Sequence, residues 1–142
     1  MMRFLLIILL TAIPIMGQAG QYRVSGSVLV NKAGILYIYL VDKDQFSIPF
    51  TGIKELRITL EENQEQTVLF SFSNIPQGQY GIRVFVDTNG NGKLDRGLLG
   101  PSEPWGMSWQ GEPKKGIPRF GDIAFNVDRD IQNLLIDTHS HK

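Results

Sequence analysis

The chain has 142 residues, with 14 Lys and Arg against 14 Asp and Glu, and no cysteine. Such a length makes one domain with a buried core, and the lack of cysteine excludes disulfides, thiolate metal sites and cysteine nucleophiles. Balanced charge argues against nucleic acid as a partner, because phosphate binding needs clustered Lys and Arg.

The first residues predict an export signal. Arg3 precedes an apolar run from Phe4 to Leu10, continued through Met16, and Gly17-Gln18-Ala19 offers the small residues of a secretory cleavage site. The run is too short and too weakly flanked for a membrane anchor, and a lipoprotein is excluded without a lipobox cysteine. Residues 1–19 are therefore expected to be cut away, leaving 20–142 as a single periplasmic or secreted domain with no stable membrane insertion. Losing Arg3 from the 14 basic residues leaves 13 against 14 acidic ones, a formal charge of −1.

Tyr22 to Val30 alternates apolar and polar residues in its first half, as a half-buried strand should. Asn31 to Gly34 is a turn, and the β-branched and aromatic run Ile35 to Val41 predicts a central strand. Asp42 to Gln45 breaks it with charge, and Phe46 to Gly52, which holds Pro49, is expected to be an irregular connection. Leu56 to Leu60 alternates again, Glu61 to Gln66 predicts a solvated hairpin end, and Thr67 to Phe72 the next strand. Pro76 and Gly78 then shape a turn into Tyr80 to Val86. Along that strand Tyr80, Ile82, Val84 and Val86 share a face. The Tyr80 hydroxyl is placed to return to the loop backbone, as the corner tyrosine of immunoglobulin-like sandwiches does.

The strand delivers Asp87 into Asp87-Thr-Asn-Gly-Asn-Gly-Lys-Leu-Asp95. Asp87, Asn89, Asn91 and Asp95 stand at alternating positions with Gly92 after the third, which is the first part of the EF-hand ligand pattern. Calcium takes about six to eight oxygens, and a tight loop lets several side chains converge on one point. Lys93 is expected to add its carbonyl oxygen. Leu98 falls where a bidentate Glu normally stands, so the pattern is incomplete and Glu103 is the candidate to complete it. The plainer reading is an Asn-Gly turn that binds nothing.

Pro101 to Pro118 forms an eighteen-residue stretch with no helical or strand period, and such stretches are often functional. Its Trp105 and Trp109, with Tyr80, have the chemistry to stack on a sugar ring or a peptide; alternatively Trp105 and Met107 pin the segment to the sandwich. Phe120 to Val127 resumes strand character, Ile131 to Asp137 closes the chain, and His139 and His141 lie in a polar tail. About seven strands without an amphipathic helix predict an all-β antiparallel sandwich.

Catalysis is poorly supplied. Hydrolysis needs a nucleophile, a base and an orienting group in reach of one another, yet the two histidines are in the tail and no Gly-x-Ser-x-Gly elbow occurs. Asp95 with Glu103 would be a carboxylate pair of the glycosidase kind, but both suit a cation better. The expected function is a non-enzymatic, calcium-stabilised binding module at the cell envelope. A carbohydrate- or peptide-binding domain using Trp105 and Trp109 is the alternative, and a hydrolase is third.

Four spaced segments carry a resemblance: Ile75-Pro-Gln-Gly-Gln-Tyr80, Asp87 to Asp95, Leu98-Leu-Gly-Pro-Ser-Glu-Pro-Trp-Gly106 and Pro118-Arg-Phe-Gly-Asp-Ile-Ala-Phe125. Together they resemble the exported bacterial family called Domain of Unknown Function 2141. The resemblance implies a secreted immunoglobulin-like or transthyretin-like β-sandwich and brings no established activity. The family usually carries His before the first loop Asp, or Asp-Glu within the loop. This chain has Val86 and Thr88 there, which leaves a loop of oxygen donors alone.

Overall fold

The computed structural model describes residues 20–139, so the export signal and His141 lie outside the described residues. Six long strands make the body: β1 Gln21–Val30, β2 Gly34–Val41, β3 Lys54–Leu60, β4 Gln66–Pro76, β5 Gly78–Asp87 and β10 Ile131–Asp137. Four short ones, β6 Arg96–Gly97, β7 Gly100–Pro101, β8 Trp105–Met107 and β9 Phe125–Val127, decorate it, with four-residue helices α1 Lys43–Phe46 and α2 Phe120–Ile123. The fold is an all-β sandwich, as the alternation predicts.

One sheet has the order β10-β1-β4 and the other β3-β2-β5-β8, with β9 on the remaining half of β5. The links β1–β2, β3–β4 and β4–β5 each pass from one sheet to the other. Residues 61–65 are thus an exposed crossing between sheets, with Gln66 already in β4, and not the expected hairpin end. The Asn63 side chain accepts a hydrogen bond from the Ala33 N–H at 2.8 Å and ties the neighbouring crossing to it. Nor is the pairing antiparallel throughout, because β10 runs parallel to β1.

Between the sheets lies an aliphatic core in which Val24, Val28, Leu36, Ile38, Leu40, Ile82 and Val86 are wholly buried. Each such side chain contributes roughly 1.5–3 kcal/mol by leaving water. Tyr80 closes one end of this core, and its hydroxyl donates to the Pro76 carbonyl at 2.9 Å, as expected of a corner tyrosine. A second cluster occupies the other face of β2 and β5: Tyr37, Tyr39, Val41 and Phe85, with Ile123 from α2. The strand β2 is therefore buried on both faces, which is why its sequence is apolar without a break.

Two stretches cover that second face. One is 42–53, where Asp42 caps α1 by accepting from the Gln45 N–H at 2.8 Å. The other is the long segment, which contains a strand after all: Trp105, Gly106 and Met107 pair with Phe85, Val84 and Arg83. A side chain on Gly106 would meet the Asp137 carbonyl at 2.6 Å, so only glycine lets β8 pass beside β10. The expected strand from Phe120 begins as a helix instead. Arg119 and Asp122 form a reciprocal cap, the Arg119 N–H donating to Asp122 Oδ2 at 2.8 Å, and pairing resumes at Phe125.

Candidate functional site

The end of β5 carries Asp87 into the loop already buried, at 1 % exposure. Its carboxylate organises the turn. Oδ1 accepts from the N–H groups of Gly90 at 2.8 Å and Asn91 at 3.2 Å, and Oδ2 accepts from Gly92 N–H at 2.7 Å. Gly90 and Gly92 sit at φ 75° and 76°, where a Cβ is disfavoured, and this lets successive N–H groups converge on one acid. Asn89 and Asn91 both reach Asp95. The Asn89 carboxamide donates to Asp95 Oδ2 at 2.6 Å, and that of Asn91 donates to both carboxylate oxygens at 2.8 and 3.0 Å.

Glu103 does reach back to this loop. It is 6 % exposed, and Oε1 accepts from the Thr88 N–H at 2.9 Å and the Thr88 hydroxyl at 3.1 Å, while Oε2 accepts from the Asp95 N–H at 3.0 Å. The carboxylate buckles the loop's two ends together across eight or more residues of chain. Leu98, by contrast, is fully exposed in the turn between β6 and β7.

The structure brings Asp87, Asn89, Asn91, Asp95 and Glu103 into one hydrogen-bonded loop. Two loop carboxylates, two carboxamides and the Lys93 carbonyl are hard oxygen donors of the kind calcium takes. Asp87 Oδ2 accepts one bond and keeps acceptor capacity. Among the described residues no three Asp, Glu or His groups converge on one point, so such a site would lean on its carboxamide and carbonyl oxygens.

The aromatic residues divide differently from the expected trio. Tyr80 belongs to the aliphatic core, whereas Trp105 and Trp109 meet edge to face at 6.4 Å on the opposite side of the second sheet. Trp105 lines a cleft of about 660 Å³, its open mouth included; Trp109 packs behind it. Phe85 and Tyr39 form the floor of the cleft, and Tyr37 stacks on Phe85 at 4.9 Å outside it. Burial, then the nearby Glu55 and Tyr37, pushes the Tyr39 phenol up to about 12. Phe50 roofs the cleft edge-on to Phe85 at 5.8 Å, with φ at 56°. A bulky residue held left-handed costs on the order of 1–3 kcal/mol, and such strain gathers at functional sites.

Comparison with protein families matches residues 24–134 to an uncharacterized family conserved in bacteria, Domain of Unknown Function 2141. The chain belongs to that family. No curated protein and no solved structure shows a match. The Domain of Unknown Function 2141 match runs from the middle of β1 into β10, and so contains both the acid-centred loop and the aromatic cleft.

Four residues within this Domain of Unknown Function 2141 region escape sequence reasoning. Arg83 crosses beneath the 42–53 connection, its Nη atoms donating to the carbonyls of Phe46 at 3.2 Å, Gln45 at 3.3 Å, Ile48 at 2.5 Å and Thr51 at 2.6 Å. Inside a strand it passes for an ordinary outward cation. Ser108, 3 % exposed, accepts from the Ile82 N–H at 2.8 Å and donates to the Ile123 carbonyl at 2.7 Å, stitching β5 to the end of α2. Leu94 and Arg96 leave the acid-centred loop to line the cleft. A period-two reading cannot show any of these, because each works across elements distant in sequence.

Proposed function

We propose that this protein is an exported, non-enzymatic β-sandwich binding module at the cell envelope, steadied by a calcium ion in the loop from Asp87 to Asp95. The observation that carries the reading is the closed loop itself. A buried carboxylate at a strand end gathers three N–H groups, two carboxamides meet a second carboxylate, and Glu103 fastens the base. Asp87, Asp95, Asn89, Asn91 and the Lys93 carbonyl would hold the ion. Glu103, with both oxygens engaged by the loop backbone, positions them. Export rests on Arg3, the apolar run and Gly17-Gln18-Ala19. The absence of an assembled nucleophile and base in the sequence supports a binding role over a hydrolytic one.

Calorimetric titration with calcium, with melting curves in millimolar calcium and in chelator, tests the reading. Two loop carboxylates and no bidentate twelfth-position Glu predict a Kd on the order of 10⁻⁴–10⁻³ M. Ten millimolar calcium, roughly a tenfold to hundredfold excess over Kd, then stabilises the fold by about 1.4–2.7 kcal/mol, and magnesium competes poorly because it holds a stricter octahedron. Asp95→Asn should lower the affinity while the chelated protein melts nearly as before. Identical melting of the parent protein in calcium and in chelator overturns the calcium site.

A further inference from the structure

The cleft over the second sheet is built with a sign. Its walls are aromatic and sulfur-bearing, with Phe85 below, Phe50 above and Trp105 and Met107 along β8. Two arginines, Arg83 and Arg96, complete the lining, and no Asp or Glu takes part in it. Ligand pockets of roughly 300–1,000 Å³, largely apolar and with a few polar groups, are the usual small-molecule sites. The enclosed part of the cleft is about 190 Å³, below that range, which limits its occupant to a small one-ring molecule.

The two arginines differ in duty. Arg83 is spent on four backbone carbonyls, its Nε is buried without a partner, and it lies over the Tyr39 ring at 5.8 Å. Carbonyl dipoles orient the guanidinium but leave its full positive charge, and among the described residues no carboxylate forms an ion pair with it. Arg96 stands exposed at the rim, on the strand that leaves the acid-centred loop, and likewise has no ion-pair partner among the described residues. One fixed cation in the wall and one exposed cation at the mouth give a positive field over an apolar floor. A fork of guanidinium donors matches a carboxylate, while Phe50 and Trp105 bring aromatic surface to the lining.

We propose that this cleft binds a small aromatic carboxylate, its ring against Trp105 and Met107 beside Phe50 and its carboxylate at Arg96. The inference builds on the binding-module reading and is independent of the calcium ion.

The test is calorimetric titration of the purified protein with phenylacetate and with its neutral counterpart phenylacetamide, each in millimolar calcium and in chelator. Phenylacetate should bind about tenfold more tightly than the amide, as a charge-assisted bond at Arg96 requires. Arg96→Gln should erase that tenfold preference without moving the melting temperature, because the side chain is exposed. Trp105→Leu should weaken both probes, and Phe50→Ala serves in its place if that variant fails to fold. Equal affinity for acid and amide, no binding of either, or binding indifferent to both Arg96→Gln and the aromatic variants overturns the proposal. Failure of phenylacetate in both buffers leaves a calcium-dependent melting shift standing. A flat melting response with phenylacetate still bound removes the calcium ion alone.

Discussion

The two faces of the second sheet are built for different work. Toward the first sheet, β2 and β5 present Leu36, Ile38, Leu40, Ile82, Val84 and Val86, an aliphatic surface that meets its equal and excludes water. Away from it the same strands present Tyr37, Tyr39, Arg83 and Phe85, covered by irregular chain that leaves a cleft. Among the described residues the first sheet has no such second layer: Leu69 on β4 and Leu135 on β10 stand 78 % and 61 % exposed. A sandwich of this size needs only the inner faces to fold. The additional burial on one outer face, with strained Phe50 and the four-carbonyl grip of Arg83, is more than the inner core requires.

That contrast can be broken most severely from the inside. Ile38→Ala empties a wholly buried position in the aliphatic core and should cost about 2–5 kcal/mol, measured by denaturant unfolding. Next comes the loop. Asp87→Ala strands three backbone N–H groups at a buried strand end, so it should cost about 1–3 kcal/mol in chelator as well as in calcium. Asp87→Ala therefore reports on loop folding, and Asp95→Asn is the cleaner probe of cation binding.

Smaller effects sharpen the comparison. Tyr80→Phe removes one hydroxyl bond to Pro76 and should cost about 0.5–1.5 kcal/mol. Alkaline pH singles out the outer face. Tyr39 is held neutral up to about 12, whereas a free phenol ionises near about 10. The raised folded value means this contribution is complete below about pH 10 and lost as pH rises toward about 12. Tyr39→Phe should flatten the fall of melting temperature across that window, and a decline identical to the parent's refutes it. Smallest of all, Leu69→Ala on the uncovered face should change stability by less than about 0.5 kcal/mol.

What was legible in the sequence follows the same division. The inner faces announce themselves by period two: Tyr80, Ile82, Val84 and Val86 point inward as expected, and β10 matches its expected span from Ile131 to Asp137. The acid-centred loop was legible because its alternating Asp and Asn have few other uses. The outer layer was not. Three residues of β8 are too few to show a period, and four-residue helices depend on caps such as Asp42 to Gln45 more than on composition. Glu61 to Gln66 looked like a hairpin end because polarity marks exposure without saying which sheet comes next. Strand direction is equally silent in side-chain alternation, so the parallel course of β10 could only be found in the structure.

That parallel pairing has a consequence for how the chain matures. Val24 meets Ile131 and Leu29 meets Asp137, partners more than a hundred positions apart, and contacts so remote in sequence form late because the intervening chain must first be gathered in. A polypeptide made from its N-terminus onward holds the β10 side of β1 unpaired until Ile131 to Asp137 emerge. A chain halted at Asp130 would keep that row of N–H and C=O groups bare, a template for pairing with another copy of itself.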